Sequence, residues 1–100
     1  MQLKDVDTGA TVRMAPMADV SNLPFRVIVR RCGSGMATSE EIDAAAFVYS
    51  SNRAVQTAKF LDEEKPIAMQ LLGNEPGTMA QAAAMLQDMG ADVVDINMGC

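Results

Sequence analysis

The sequence predicts an α/β fold in which a parallel β-sheet is built from about four strand–helix units. Three observations support this prediction. Short apolar segments alternate along the chain with longer segments in which apolar residues recur at helical spacing. The apolar segments are too hydrophobic to face water on either side, which is typical of parallel strands covered by helices. Glycine, proline and small polar residues separate the segments and supply turns and helix caps.

The first half of the chain contains two predicted strands and a helix between them. Residues 12–15 form an apolar run that a proline ends, so we predict the first strand there, after a polar lead-in. Ser21 or Asn22 can cap the helix that follows. Its apolar residues recur at helical spacing: Phe25, Ile28, Val29 and Cys32. A glycine then stops the helix, and residues 36–39 are predicted as the second strand.

The second half contains two further predicted strands. Residues 44–49 favour one or two helical turns, and Asn52 can cap another short helix. Residues 67–72 form a compact apolar run, which we interpret as the third strand. The helix that follows has apolar residues at helical spacing: Met79, Ala82, Ala83 and Leu86. Residues 93–97 are predicted as the fourth strand, parallel to the other three.

Polar side chains fall on one face of the third and fourth predicted strands. Successive side chains in a strand point to opposite faces, so Gln70 lies opposite its apolar neighbours, and Asp95 and Asn97 share a face of the next strand. The apolar faces are expected to pack on helices. We therefore expect Gln70 and Asn97 to point to a barrel interior or a ligand crevice near residues 16–18, where a bound polar cofactor could satisfy them.

The composition excludes several kinds of function for this segment. Hydrophobic residues make up 49% of the chain and the formal net charge is -5, so no basic nucleic-acid-binding surface is indicated within it. The chain contains no histidine, which excludes a Ser-His-Asp triad and the usual histidine-ligated zinc sites here, and we expect no metal site. With two cysteines, no secretory signal and no membrane-length apolar stretch, we expect a cytoplasmic protein with free thiols.

Cys100 is the leading candidate for a reactive group. It follows Gly99 at the end of the fourth predicted strand, where parallel α/β folds build their active sites. Its thiol could act as a nucleophile or a proton donor, or the residue could simply be a small buried apolar side chain. Cys32 is expected to have a structural role on the apolar face of its helix. Gln70 either binds the edge of a heterocycle or is satisfied by neighbouring backbone.

Four segments of the chain, taken together, carry a family resemblance. They are MAPMA at 14–18, LPFR at 23–26, AMQLLG at 68–73 and DINMGC at 95–100. In order and spacing they resemble the tRNA-dihydrouridine synthases, in particular their bacterial B-type branch, over residues 12–100. The resemblance implies an FMN-binding TIM barrel of the (β/α)8 type, followed by a helical tRNA-binding domain.

The resemblance also implies an activity and roles for particular residues. In this family NADPH reduces the flavin, and the reduced flavin passes a hydride to C6 of a uridine in tRNA, which gives 5,6-dihydrouridine. The matching positions are Cys100 as the proton donor to C5, Pro16, Met17 and Ala18 as the loop against the flavin ring, Gln70 as a flavin contact, and Asn97 near the substrate base. We interpret residues 1–100 as the N-terminal portion of the barrel, about four βα units. We expect this segment alone to be inactive, because the rest of the barrel and the tRNA-binding domain would lie outside it.

Three departures from the family pattern occur, and two other functions stay open. Ser21-Asn22 stands where Thr-Asp is usual. Asp19 stands where glycine is common, and an aspartate disfavours a positive φ in that turn. Glu41 stands where methionine is common. One alternative function is that of another flavin-dependent TIM-barrel oxidoreductase, of the dihydropyrimidine or dihydroorotate dehydrogenase type, although the LPFR block favours the tRNA enzyme. The other is a half-barrel without catalysis that acts as a binding or assembly module, since four strands leave an open edge.

Overall fold

The computed structural model describes residues 1–99, and Cys100 lies outside the described residues. The strands are β1 (Gln2–Leu3), β2 (Val6–Asp7), β3 (Ala37–Thr38), β4 (Ile42–Asp43), β5 (Ile67–Leu72) and β6 (Val93–Ile96). The α-helices are α1 (Leu23–Arg31), α2 (Ala44–Val48), α3 (Asn52–Thr57) and α4 (Pro76–Asp88), and a short 3-10 helix spans Asp62–Glu64. Within this described part of the chain, no helix has the length and apolar character needed to cross a membrane.

One parallel sheet forms the centre of the fold, with β5 as its middle strand. β3, β4 and β6 all pair with β5 in parallel. β6 pairs with one edge of β5 from Ala68 to Leu71, and β3 and β4 share the other edge, because a strand has only two edges. The predicted parallel α/β arrangement is therefore confirmed for the strands predicted at 36–39, 67–72 and 93–97.

β3 and β4 together behave as one strand interrupted by a bulge. Thr38 pairs with Ala68 and Ile42 pairs with Leu71, so four residue steps on this side oppose three steps on β5. Ser39 bridges the interruption: its N–H donates to the Ala68 carbonyl oxygen over 2.9 Å, and its hydroxyl oxygen accepts a backbone N–H of β5 over 3.0 Å. β4 is not predictable from the sequence, because a bulge breaks the side-chain alternation on which strand prediction depends.

The strand predicted at residues 12–15 is wrong. The backbone of this segment makes isolated contacts, in which the Gly35 N–H donates to the Val12 carbonyl oxygen over 3.0 Å and the Met14 N–H donates to Ser34 Oγ over 3.1 Å. A ladder needs consecutive pairing with a neighbouring strand, and the residues opposite this segment still belong to the loop that leads into β3. Val12 is also 81% exposed, so its apolar side chain marks no core position in the described chain.

A short antiparallel hairpin precedes this segment, where the sequence indicates only a polar lead-in. β1 and β2 pair with Gln2 opposite Asp7. Thr8, which is buried, then joins the hairpin to the sheet: its N–H donates to the Met1 carbonyl oxygen over 2.9 Å, and its own carbonyl oxygen accepts from the Met36 N–H over 2.7 Å. Strands of two residues carry too little side-chain alternation to be predicted from sequence.

The hydrophobic core lies between the sheet and helices α2, α3 and α4. Its buried side chains are Ile42, Ala44, Phe47, Ala54, Ala58, Ile67, Met69, Leu71, Ala82 and Leu86. Ile67, Met69 and Leu71 face these helices, as side-chain alternation predicts, so Gln70 lies on the opposite face of the sheet. Full burial of each large side chain contributes about 1.5–3 kcal/mol, and the helices are held to the sheet mainly through this layer.

α1 is anchored by a buried arginine, and its predicted apolar face is only partly covered, with Phe25 and Val29 half-buried. Asn22 caps the helix, and its Oδ1 accepts from the Phe25 N–H over 3.1 Å. Arg26 is the buried residue of the helix, whereas Ile28 is 62% exposed and Cys32 is exposed. The structural role expected for Cys32 on a packed apolar face is therefore wrong. Helical spacing shows which residues share a face, but it does not show what covers that face.

Candidate functional site

A cleft of about 440 Å³ opens where β5 and β6 approach their carboxyl ends. Its lining residues are Pro16, Met17, Ala18, Glu41, Gln70, Ile96, Asn97, Met98 and Gly99. The cleft thus contains every described residue for which the sequence predicts a cofactor or substrate contact. The predicted convergence of Gln70 and Asn97 on residues 16–18 is confirmed as geometry. The carboxyl ends of parallel strands are where α/β folds place their ligand sites.

The polar side chains of the cleft form one hydrogen-bonded network. Gln70 Nε2 donates to Asp95 Oδ2 over 2.6 Å, and Gln70 Oε1 accepts from Asn97 Nδ2 over 3.1 Å. Asn97 Nδ2 also donates to Glu41 Oε2 over 3.1 Å. The carboxylate of Asp95 can only accept, so it selects the end of the Gln70 amide that carries the N–H groups. The network therefore sets the direction in which the Gln70 amide presents its remaining donor and acceptor.

The Gln70 amide keeps hydrogen-bonding capacity beyond this network. A carboxamide offers two N–H donors and two acceptor lone pairs, and the contacts with Asp95 and Asn97 use one of each. One N–H donor and one acceptor lone pair of this amide therefore remain, on a residue that is only 8% exposed. A group that can both donate and accept suits a flat heterocycle whose edge alternates N–H and C=O groups. Gln70 can therefore bind such a ring without breaking its existing contacts.

The loop at residues 16–18 forms an apolar wall of the cleft, and hydrogen bonds to Ser21 hold its backbone. The Met17 N–H donates to Ser21 Oγ over 2.8 Å, and the Ser21 hydroxyl donates back to the Met17 carbonyl oxygen over 3.0 Å. Asp19 follows in the left-handed region, with a φ of 60°. The expectation that aspartate keeps this turn from a positive φ is wrong, because aspartate adopts that region more readily than most residues do.

Comparison with known proteins identifies the family of this chain. The family model described as Dihydrouridine synthase (Dus) matches residues 13–100. This chain belongs to the dihydrouridine synthase family. The family relationship predicted from the four sequence segments is therefore confirmed.

Curated members of the dihydrouridine synthase family match the chain along its length. A probable tRNA-dihydrouridine synthase of Rickettsia prowazekii is 37% identical over 101 residues, which cover 100% of this chain and 31% of that protein. The tRNA-dihydrouridine synthase B of Xanthomonas axonopodis pv. citri is 36% identical over 100 residues, covering 100% of this chain and 30% of that protein. A probable tRNA-dihydrouridine synthase of Rhodobacter capsulatus is 43% identical over 91 residues, covering 89% and 28%. The chain spans about three tenths of the length of these relatives.

Acidic groups dominate the charge of this cleft in the dihydrouridine synthase chain. Glu41 lines the cleft with an exposed carboxylate, and Asp95 holds a second carboxylate against Gln70. Among the described residues that line the cleft, none is basic. Opposite charge is what attracts an anion, so this part of the cleft suits the neutral ring of a ligand rather than its phosphate.

Cys100 lies outside the described residues, so its role as proton donor stays a prediction. The residue before it is described. Gly99 has a φ of 112°, a conformation that favours glycine, and its N–H donates to Asn97 Oδ1 over 2.8 Å. A turn closed by the Asn97 side chain therefore ends β6 at the cleft.

Two residues that contact the site, Glu41 and Ser21, are not predicted as site residues from the sequence. Glu41 belongs to the bulge between β3 and β4, and a bulge leaves no periodic signal. Ser21 is identified from the sequence as an alternative helix cap and, with Asn22, as a departure from the family pattern. In the structure Asn22 caps the helix, and the Ser21 hydroxyl bonds to the Met17 backbone.

Proposed function

We propose that the protein containing this chain reduces uridine in tRNA to 5,6-dihydrouridine, with FMN bound in the cleft and NADPH as the reductant. The observation that carries the proposal is the convergence of residues 16–18, Gln70 and Asn97 on one cleft. Family membership and the names of the relatives support the substrate class. We further propose that the parallel sheet is the first part of a (β/α)8 barrel and that the reaction takes place in the cytoplasm.

The residues of the cleft fit a flavin ring system. Met17, Ile96 and Met98 give the cleft apolar walls, and the amides of Gln70 and Asn97 supply hydrogen-bond donors and acceptors. A volume of about 440 Å³ lies within the usual range for sites that bind small molecules. A flavin bound there would supply the hydride for reduction of the uracil ring.

Each residue has a separate task in this proposal. Residues 16–18 hold one face of the ring and exclude water from it. Gln70 holds the polar edge of the ring through its remaining N–H and its remaining acceptor position. Asn97, at the end of β6, orients the substrate base. Cys100 Sγ donates a proton to C5 of the uracil, because the charge that develops there must be neutralised without waiting for solvent.

The tRNA must be bound largely by groups other than those of this segment. The chain carries a net charge of -5, and phosphate contacts require Lys or Arg in a basic surface. We propose that a helical domain outside this segment supplies most of them. The target base must leave its stack to enter the cleft, as bases do in other enzymes that act on them.

The test uses the protein expressed from the complete reading frame. We expect the purified protein to retain FMN, to oxidise NADPH, and to form dihydrouridine in an unmodified tRNA transcript, as detected by mass spectrometry of the nucleosides. The 100-residue chain alone serves as the control and is expected to do none of these, because a small open sheet with an uncovered face is marginally stable. Absence of both flavin and dihydrouridine from the complete protein would contradict the proposal.

A further inference from the structure

The hydroxyl group of Ser21 clamps the peptide groups on both sides of Met17. It accepts from the Met17 N–H over 2.8 Å and donates to the Met17 carbonyl oxygen over 3.0 Å. The Ser21 N–H also donates to that carbonyl oxygen over 2.9 Å. Ser21 is 2% exposed, which limits the access of water to its hydroxyl group. The hydroxyl therefore restrains the backbone at the centre of the loop that walls the cleft.

Ser21 is in turn held by a buried ion pair. Arg26 Nη1 donates to the Ser21 carbonyl oxygen over 3.1 Å, and Arg26 Nε donates to Glu64 Oε1 over 2.7 Å. Arg26 Nη2 donates to the Lys59 carbonyl oxygen over 2.9 Å, and Glu64 Oε2 accepts from the Leu61 N–H over 2.8 Å. Arg26 and Glu64 are 3% and 0% exposed. Buried charges persist only when they are paired and hydrogen-bonded, so this pair has one geometry and resists displacement.

The Ser21 hydroxyl is not needed to form helix α1. That helix has its own cap, because Asn22 Oδ1 accepts from the Phe25 N–H. All the hydrogen bonds of the Ser21 hydroxyl instead go to Met17, a residue that lines the cleft. A side chain that served only the helix would bond to the first turn of the helix. The direction of these bonds therefore connects Ser21 to the site rather than to the scaffold.

We propose that Ser21 is a positioning residue for the cofactor, and that the Arg26–Glu64 pair holds it in place. Through Ser21, the buried pair sets the position of the Met17 backbone, and so the wall against which the flavin ring packs. The inference rests on the proposed function for the identity of the ligand. The clamp on Met17 itself can be measured without any ligand.

The experiment uses the complete protein with three variants. Ser21→Ala removes both side-chain hydrogen bonds, and Ser21→Thr keeps a hydroxyl at the same position. Ser51→Ala is the matched control, because Ser51 precedes α3 and makes no side-chain capping bond. Hydrogen exchange at the Met17 amide is measured by NMR on the flavin-free protein, and the amide of Met69 in the core reports global stability. FMN affinity is then measured by quenching of flavin fluorescence.

The expected result is local. Ser21→Ala should raise the exchange rate at the Met17 amide about tenfold and weaken FMN binding about tenfold, and each of these changes corresponds to about 1.4 kcal/mol. The exchange rate at Met69 should change less than that at Met17, because the loss of stability is confined to the loop. Ser21→Thr should restore both values, and Ser51→Ala should change neither.

Three results would overturn the proposal. An unchanged exchange rate at the Met17 amide in Ser21→Ala would show that the Ser21 hydroxyl does not restrain the Met17 backbone. An equal rise at Met17 and Met69 would show that the role is only structural. Faster exchange at Met17 with unchanged FMN affinity would show that the clamped loop does not position the ligand. If the wild-type protein binds no FMN, the proposed function fails together with the cofactor part of this inference, and the exchange data then show whether the clamp exists without it.

Discussion

Asn97 Nδ2 donates a hydrogen bond to Gln70 Oε1 over 3.1 Å, which joins the ends of two neighbouring strands across the candidate site. The parallel register of β5 and β6 brings these two residues together although they lie 27 positions apart. With Asp95 on the other side of the Gln70 amide, the contact turns that amide in one direction. Binding of a ligand ring by Gln70 depends on this orientation.

Replacement of Gln70 by leucine should weaken FMN binding about tenfold, the loss expected for one or two hydrogen bonds to the ring. Leucine fills a similar volume but cannot bond to Asp95, Asn97 or a ligand. Gln81→Leu is the matched control, because Gln81 is an exposed glutamine on α4. Affinity is measured by flavin fluorescence in the complete protein. Equal affinities of the wild type and Gln70→Leu would rule out a contact between Gln70 and the flavin.

Loss of the buried arginine should be the more damaging of two arginine substitutions. Arg26→Met leaves Glu64 buried and unpaired and should cost about 3–5 kcal/mol in the free energy of unfolding. Arg31→Met breaks an ion pair with Glu63 whose side chains are 68% and 44% exposed, and should cost less than about 1 kcal/mol. Urea denaturation of both variants measures the difference. Similar costs for the two would show that the Arg26–Glu64 pair is not the anchor of α1.

The sequence predicts the fold correctly where an apolar segment is also buried in the structure. Residues 67–72 form a strand with the predicted bounds, because a central strand is apolar on both sides. The apolar run at 12–15 has the same appearance but no neighbouring strand in register, and pairing is not visible in a single sequence. Likewise, the LPFR segment contains the arginine that anchors α1, but only the structure shows that Glu64, 38 residues away, is its partner.

The part of the candidate site that lies on the strands was predictable, because side chains alternate between the two faces of a strand. Gln70 and Asn97 face the cleft because alternate residues of a strand share a face. Glu41 reaches Asn97 only because the bulge after β3 adds one residue, which no period reveals. The contact of Ser21 with Met17 depends on a loop conformation, including the positive φ of Asp19, that local sequence rules did not predict.

The conformation of Asp19 predicts how substitutions at this position behave. Asp19→Gly should leave stability unchanged or slightly higher, because glycine adopts a φ of 60° without strain. Asp19→Val should cost about 1–2 kcal/mol, since a β-branched side chain is strained there. Asp5→Val is the control, as Asp5 is exposed and has no positive φ. Thermal unfolding measures all three. A valine tolerated at both positions would contradict the left-handed turn.

The start of α4 should respond to acid pH. Hydrogen bonds from the Thr78 side chain, the Thr78 N–H and the Gly77 N–H lower the pKa of Glu75 below its ordinary value of 4.5. A carboxyl group whose pKa is lowered by folding stabilises the folded state at a pH above its ordinary pKa. That contribution is lost as the pH falls through the lowered pKa. The proton chemical shift of the Thr78 amide should therefore titrate below pH 4.5.

Glu75→Gln provides the control for this titration. Glutamine keeps one oxygen acceptor for the cap but has no charge to lose, so the Thr78 amide should no longer titrate with it. A midpoint at or above pH 4.5 in the wild type would show that the hydrogen bonds to Glu75 do not favour its charged form.

If Cys100 donates a proton to uridine at a flavin site, its loss should affect only one of the two half-reactions, and rapid mixing measures each of them separately. In Cys100→Ala, reduction of the flavin by NADPH should keep the wild-type rate, while oxidation of the reduced flavin by tRNA should slow by roughly 10²–10⁴-fold, the usual loss when general-acid catalysis is removed. Cys32→Ala is the matched control, and because Cys32 is exposed, it should change neither rate. If Cys100→Ala instead reduces tRNA at the wild-type rate, Cys100 is not the proton donor.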